Sequence, residues 1–192
     1  MLVPEAGGSG LCGWWPYAVS LARHHFRVLL FDPRCFGLSS CPRRGVGLLA
    51  ADVTAAVALL HHQGCTAVEV VGASAGGSAA LVAAAHDRHI TAIADLSGDE
   101  NTTPMSKHRP RTADAAAGRI RQPTLIAVAR DDPYVTVHAE RAIASALATP
   151  RKRLLVEPNR AGHGWDMLAN PGGSGWSKLA ATLTRFLSGH RG

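Results

Sequence analysis

Strand-like and helix-like stretches alternate along this 192-residue chain, and the alternation predicts an α/β protein: one mainly parallel sheet of about five or six strands with helices on both faces. Three observations carry that reading. Short apolar runs rich in β-branched residues recur. Segments with helical spacing separate them. A parallel pairing requires a covering crossover, which those segments supply.

Phe26-Arg27-Val28-Leu29-Leu30-Phe31-Asp32 reads as a buried strand ending at Asp32-Pro33. Residues 46–62 place Leu48, Leu49, Val53, Val57 and Leu60 near helical spacing and stop at Gln63-Gly64. A strand at 68–71 and an alanine-rich helix at 75–85 follow, then strands at 92–96 and 124–128. Residues 137–147 read as a helix, 153–156 as a strand. Residues 177–187 read as a terminal amphipathic helix with Leu179, Leu183, Phe186 and Leu187 inward. Between 97 and 123 the chain is irregular and polar, without the apolar face of a membrane-opening lid.

With 46% hydrophobic residues, the chain supports one domain spanning 1–192 with a substantial core. No large cap domain is expected. The start has neither a basic segment nor an apolar signal core, and no apolar run is long enough to cross a bilayer. The expectation is a cytoplasmic protein without membrane partners. The formal charge of +6 comes from scattered basic residues, with short clusters only at 107–111 and 151–153. Nucleic-acid binding needs a focused basic face, so no nucleic-acid partner is expected. Cys12, Cys35, Cys41 and Cys65 lack C-x-x-C spacing and are expected to be reduced structural thiols, with no metal. Gly7-Gly8-Ser9-Gly10 has no following Gly-Lys-Ser/Thr, so no nucleotide cofactor is expected. Oligomeric state is not set by these residues.

The most informative stretch runs from Ala67 to Val82, where a strand enters Gly72-Ala73-Ser74-Ala75-Gly76 and a helix leaves it. By composition alone G-x-S-x-G would occur roughly once in eight such chains, so the flanking elements carry the specificity. In that setting Ser74 stands on a sharp strand-to-helix turn at the carboxyl edge of the sheet, where open α/β sheets bind ligands. A serine hydroxyl needs an adjacent imidazole to take its proton. His163, in Ala161-Gly162-His163-Gly164-Trp165 after a strand, is the histidine that a flexible loop can aim at that edge. Asp132, after the strand at 124–128, is chosen to orient it, with adjacent Asp131 as the alternative and Asp95 and Asp99 as weaker substitutes.

The order Ser74, Asp132, His163 resembles that of the α/β-hydrolase superfamily. The resemblance extends over nearly the whole chain through Trp14-Trp15-Pro16-Tyr17-Ala18, residues 31–39, the serine turn, Asp131-Asp132-Pro133-Tyr134-Val135 and Gly162-His163-Gly164-Trp165-Asp166. It implies a serine hydrolase with an acyl-enzyme intermediate, no cofactor, and a small-molecule acyl substrate and water as partners. It also implies an oxyanion hole formed by the Ala75 amide and an amide of Ala6 or Gly7. Trp14 and Trp15 are expected to border the substrate pocket, with packing of at least one of them into the core as the alternative. The chain departs from the family at its start, which looks shortened, with Glu5-Ala6 where His-Gly is expected. The alternative class is a non-catalytic, degenerate binding protein of the same fold. A thiol enzyme using Cys12 or Cys35 is disfavoured because neither lies on such a turn.

Overall fold

The computed structural model describes residues 1–7, 10–41, 49–98, 113–170 and 174–190. Its five strands are β1 (Leu2–Val3), β2 (Val68–Ala73), β3 (Ile90–Leu96), β4 (Thr124–Ala129) and β5 (Lys152–Glu157), joined in the order β1-β2-β3-β4-β5. Every pairing is parallel. The helices are α1 (Trp15–Arg23), α2 (Leu49–His62), α3 (Ala75–Ala84), α4 (Ala113–Ala117), α5 (Val137–Ala146) and α6 (Lys178–Ser188).

Strand side chains alternate between two cores because successive residues face opposite sides of the pleat. Val68, Val70, Ile93 and Ile126 pack with Leu49, Val53 and Val57 of α2, Leu81 of α3 and Ile143 of α5. Val71, Ala94, Leu96 and Leu125 face Tyr17 and Leu21 of α1 and Leu179, Leu183 and Leu187 of α6. Helix α3 is buried at all ten positions. Its small residues explain this, since Ala75-Gly76-Gly77-Ser78-Ala79-Ala80 lets the backbone lie close to the sheet on one side and to α2 and α4 on the other. Helices α5 and α6 start with side-chain caps: Thr136 accepts from the Ala139 amide at 3.1 Å, and Ser177 from the Ala180 amide at 3.3 Å.

Most expected elements fall within a residue or two of their positions. The strand expected at 26–32 does not form; only Leu30 makes a parallel bridge, to Leu2. The neighbouring β1 is two residues long and is followed by Pro4, which has no amide to donate, so it offers too short an edge for a longer ladder. Residues 46–48 at the start of the expected α2 lie outside the described residues. So do the basic cluster at 107–111, Asp99, and most of the irregular connection at 97–123. The described part of that connection contains α4, and no cap domain is evident among the described residues.

The expectation of four reduced thiols is corrected: Cys35 and Cys41 form a disulfide with Cα atoms 4.3 Å apart, while Cys12 and Cys65 are free. The intervening chain doubles back, with the Cys35 amide donating to Ser40 O and the Phe36 amide to Pro33 O, which brings the two Cα atoms near enough to bridge. Asp32 anchors the same segment by accepting from the amides of Leu11 and Leu38 at 3.1 and 3.2 Å.

The junction of β2 and α3 depends on two glycines. A Cβ at Gly72 would lie 2.1 Å from Gly76 O, and one at Gly76 would lie 2.5 Å from the carbonyl oxygens of Val3 and Pro4. Both obstacles are backbone. Gly72→Ala is therefore expected to destabilise the protein by about 3 kcal/mol or more, read as a lowered urea midpoint. Gly118→Ala, whose added Cβ would meet nothing within 4 Å, is expected to leave the midpoint nearly unchanged.

Candidate active site

Ser74 sits between the last residue of β2 and the first of α3 with φ 51° and ψ −124°. A non-glycine residue adopts that backbone only where its surroundings over-determine it. Here the Ser74 amide donates to Leu96 O of β3 at 2.9 Å, and Ser74 O accepts from the Gly77 amide at 2.8 Å. The turn is thus fixed on one side by the sheet and on the other by the helix. As the first residue of α3, Ala75 has no carbonyl partner within the helix for its N–H, and the positive end of the helix dipole lies beside Ser74.

His163 comes from the loop after β5. Positive φ values at Arg160 (64°), Gly162 (95°) and Gly164 (54°) fold this loop back toward the strand ends, and the Asp166 amide closes it by donating to His163 O at 3.0 Å. The ring is 12% exposed and directs Nδ1 at Asp132, lying 2.9 Å from both carboxylate oxygens. A carboxylate has no proton to give, so Nδ1 carries the hydrogen and Nε2 is left as an acceptor.

Asp132 follows β4. Its side chain is fully buried and its Oδ1 accepts from the amides of Tyr134 and Val135 at 2.9 and 3.0 Å. Burial pushes its carboxyl upward. The Tyr134 amide, the side chains of Ser97 and His163, and the Val135 amide outweigh burial and hold it below the usual carboxylate value. Asp131 faces elsewhere and accepts from the Arg160 amide at 2.8 and 3.0 Å, so it ties the β4 loop to the β5 loop.

Ser74 and His163 line one cavity of about 450 Å³, together with Glu5, Ala6, Gly7, Tyr134 and Val135. The structure therefore gathers Ser74, His163, Ala6 and Gly7 around one space, with Asp132 behind the imidazole and Ala75 next to Ser74 in the chain. Among the described residues the Ser74 hydroxyl makes no hydrogen bond, a contact that in such sites often tightens only when substrate is present.

The tryptophans lie elsewhere. Trp14 is completely buried, donates from Nε1 to Val3 O at 2.8 Å and meets Trp165 edge-on with ring centroids 5.7 Å apart. Trp15 is 60% exposed, and neither lines the cavity. An indole with a buried N–H needs an acceptor, and the Val3 carbonyl supplies it inside the core.

Residues without an expected role also stand here. Tyr134 lies edge-on to the His163 ring at 4.8 Å. Ser97, at the end of β3 with φ 56°, adjoins Asp132. Tyr134 belongs to the Asp131-Asp132-Pro133-Tyr134-Val135 landmark, whereas nothing in the local sequence marks Ser97. Among the described residues no group of three or more His, Cys, Asp or Glu is placed to hold a metal ion, and no helix is long and apolar enough to cross a membrane.

Asp95, one of the substitute acids, is not the partner of His163 Nδ1, a place that Asp132 takes. The two Asp95 oxygens are enclosed without a hydrogen-bonding side chain or backbone partner of good geometry, pressed against Gly77 and Gly98. Burial raises its carboxyl to about 7, against a smaller opposing pull from the Gly98 amide. A carboxyl whose folded value exceeds its unfolded one takes up a proton on folding, so its stabilising contribution is complete below about pH 4 and is lost as pH rises through about 7. Urea midpoints are expected to fall between pH 4.5 and pH 8 in the wild type by more than in Asp95→Asn, whose side chain does not titrate.

A model of the family described as "alpha/beta hydrolase fold" matches residues 1–114. Solved structures share the fold over nearly the whole chain. An esterase from Pyrococcus furiosus superposes with a TM-score of 0.79 at 17% identity, covering 100% of this chain and 83% of the other. A meta-cleavage product hydrolase from Pseudomonas fluorescens superposes at 0.75 and 13% identity, covering 98% and 89%. A monoacylglycerol lipase from Paleococcus ferrophilus superposes at 0.72 and 14% identity, covering 98% and 94%. No curated protein matches the chain by sequence. The family match over more than half the sequence, on a parallel five-stranded sheet, establishes that this chain belongs to the α/β-hydrolase fold family.

Proposed function

We propose that this protein is a serine hydrolase that cleaves small ester or related acyl substrates through an acyl-enzyme on Ser74. The observation that carries the reading is the His163 ring, bonded through Nδ1 to buried Asp132 and sharing a cavity with Ser74. Esterase, lipase and hydrolase relatives of the same fold support it.

In the first half-reaction Ser74 Oγ attacks the carbonyl carbon as His163 Nε2 takes the hydroxyl proton. The imidazolium so formed faces the Asp132 carboxylate, which stabilises it. The carbonyl oxygen becomes an oxyanion, met by the Ala75 amide and by an amide of Ala6 or Gly7. Collapse breaks the bond to the leaving alcohol, which departs with the proton from His163. In the second half-reaction a water gives its proton to His163 and attacks the acyl carbon, and the acid leaves as Ser74 recovers its hydrogen. The partly open cavity, lined by both polar and apolar groups, suits a small soluble substrate.

A binding protein that has lost catalysis is the second reading, favoured by the free Ser74 hydroxyl and by Glu5 at the position of the family's His-Gly. Hydrolysis of a short-chain p-nitrophenyl ester separates the two. Turnover is expected in the wild type and absent in Ser74→Ala. Asp132→Asn is expected to lower kcat by roughly 10³- to 10⁴-fold, while Asp131→Asn changes it only a few-fold. Equal turnover with and without the Ser74 hydroxyl would remove the serine from the mechanism; a larger loss in Asp131→Asn would reassign the acid.

A further inference from the structure

Glu5 lines the same cavity as Ser74 and His163. Its Oε2 is enclosed and has no hydrogen-bond partner among the described residues. The carboxylate sits against the His163 loop, since a Cβ at Gly164 would lie 2.5 Å from that oxygen. Glu69 and Asp95 also have enclosed carboxylate oxygens without hydrogen bonds, but neither borders this cavity. Burial raises the Glu5 carboxyl, His163 pulls it down and Asp166 pushes it up, so the ionised form is under-compensated by the protein alone.

Position makes this a chemical problem for the reaction. Glu5 precedes Ala6, one of the two residues proposed to supply the second oxyanion donor, so its carboxylate stands beside the place where negative charge develops. A bare carboxylate there opposes the oxyanion. An ionised carboxylate can only accept hydrogen bonds, so the ligand group that completes it must be a donor, and a charged N–H donor is the strongest.

We propose that Glu5 is a specificity determinant that selects acyl substrates carrying a protonated amine, with the ammonium donating to Oε1, the carboxylate oxygen on the side of cavity-lining Gly7, and offsetting the charge that enclosed Oε2 leaves uncompensated. This rests on the serine-hydrolase reading of the same cavity. Acyl groups bearing their own carboxylate are disfavoured by like-charge repulsion.

The test compares three p-nitrophenyl esters at pH 7: β-alaninate, its neutral isostere butanoate, and hydrogen succinate. The wild type is expected to favour β-alaninate over butanoate in kcat/KM by about 10- to 100-fold, the range for a hydrogen bond to a charged group, and to turn over hydrogen succinate least. In Glu5→Gln the ratio should fall to near one, whatever the absolute rates. A wild-type ratio at or below one, or a ratio unchanged in Glu5→Gln, would overturn the proposal. Calorimetric binding of β-alaninamide against butanamide to Ser74→Ala reads the same preference without turnover. If no ester is cleaved but β-alaninamide binds more tightly and loses that advantage on adding Glu5→Gln, the recognition stands and the hydrolase reading falls. Equal binding of the two amides overturns the recognition alone. Glu5→Ala serves as the second variant where Glu5→Gln does not fold.

Discussion

The close approach of three backbone segments at the carboxyl edge of the sheet governs the rest of this molecule. Gly72 lets the end of β2 touch the first turn of α3, and Gly76 lets that turn touch the end of β1. No side chain fits at either contact. Between them Ser74 is held at positive φ by hydrogen bonds to β3 and to α3. The serine's exposure to the cavity is therefore a consequence of packing among β1, β2 and α3, and cannot be altered without disturbing both hydrophobic cores that these elements organise.

Two loops complete the arrangement from the other side. The loop after β4 buries Asp132 and fixes its carboxylate with two backbone amides, while the loop after β5 uses three positive-φ residues to return His163 toward the sheet. Asp131 links the two loops through the Arg160 amide. Adjacent aspartates thus divide the work: one orients the ring and the other holds the loops together. The net effect is a ring whose tautomer is set by its partner, leaving Nε2 as the acceptor on the side away from the carboxylate.

The features most legible in the sequence were those encoded locally. The β2–α3 turn is written in five consecutive residues, and the order of Ser74, Asp132 and His163 follows from strands whose apolar runs are short and distinct. What escaped depended on contacts between distant segments. Residues 26–32 have strand composition, yet a two-residue β1 followed by Pro4 gives them almost nothing to pair with. Cys35 and Cys41 meet because the chain between them doubles back, which their spacing does not reveal. Trp14 was drawn into the core by the Val3 carbonyl and Trp165. The weight of Glu5 comes from enclosure beside Gly164, a property of the folded cavity alone.

The proposed hydrolysis depends on activation of Ser74 by His163. Its most direct measurement is the second-order rate of fluorophosphonate labelling, with the modified residue located by mass spectrometry, in wild type and in His163→Ala. Labelling confined to Ser74 and slowed by at least about 10³-fold without the imidazole is predicted. Equally fast labelling in His163→Ala, or attachment at a different residue, would contradict it.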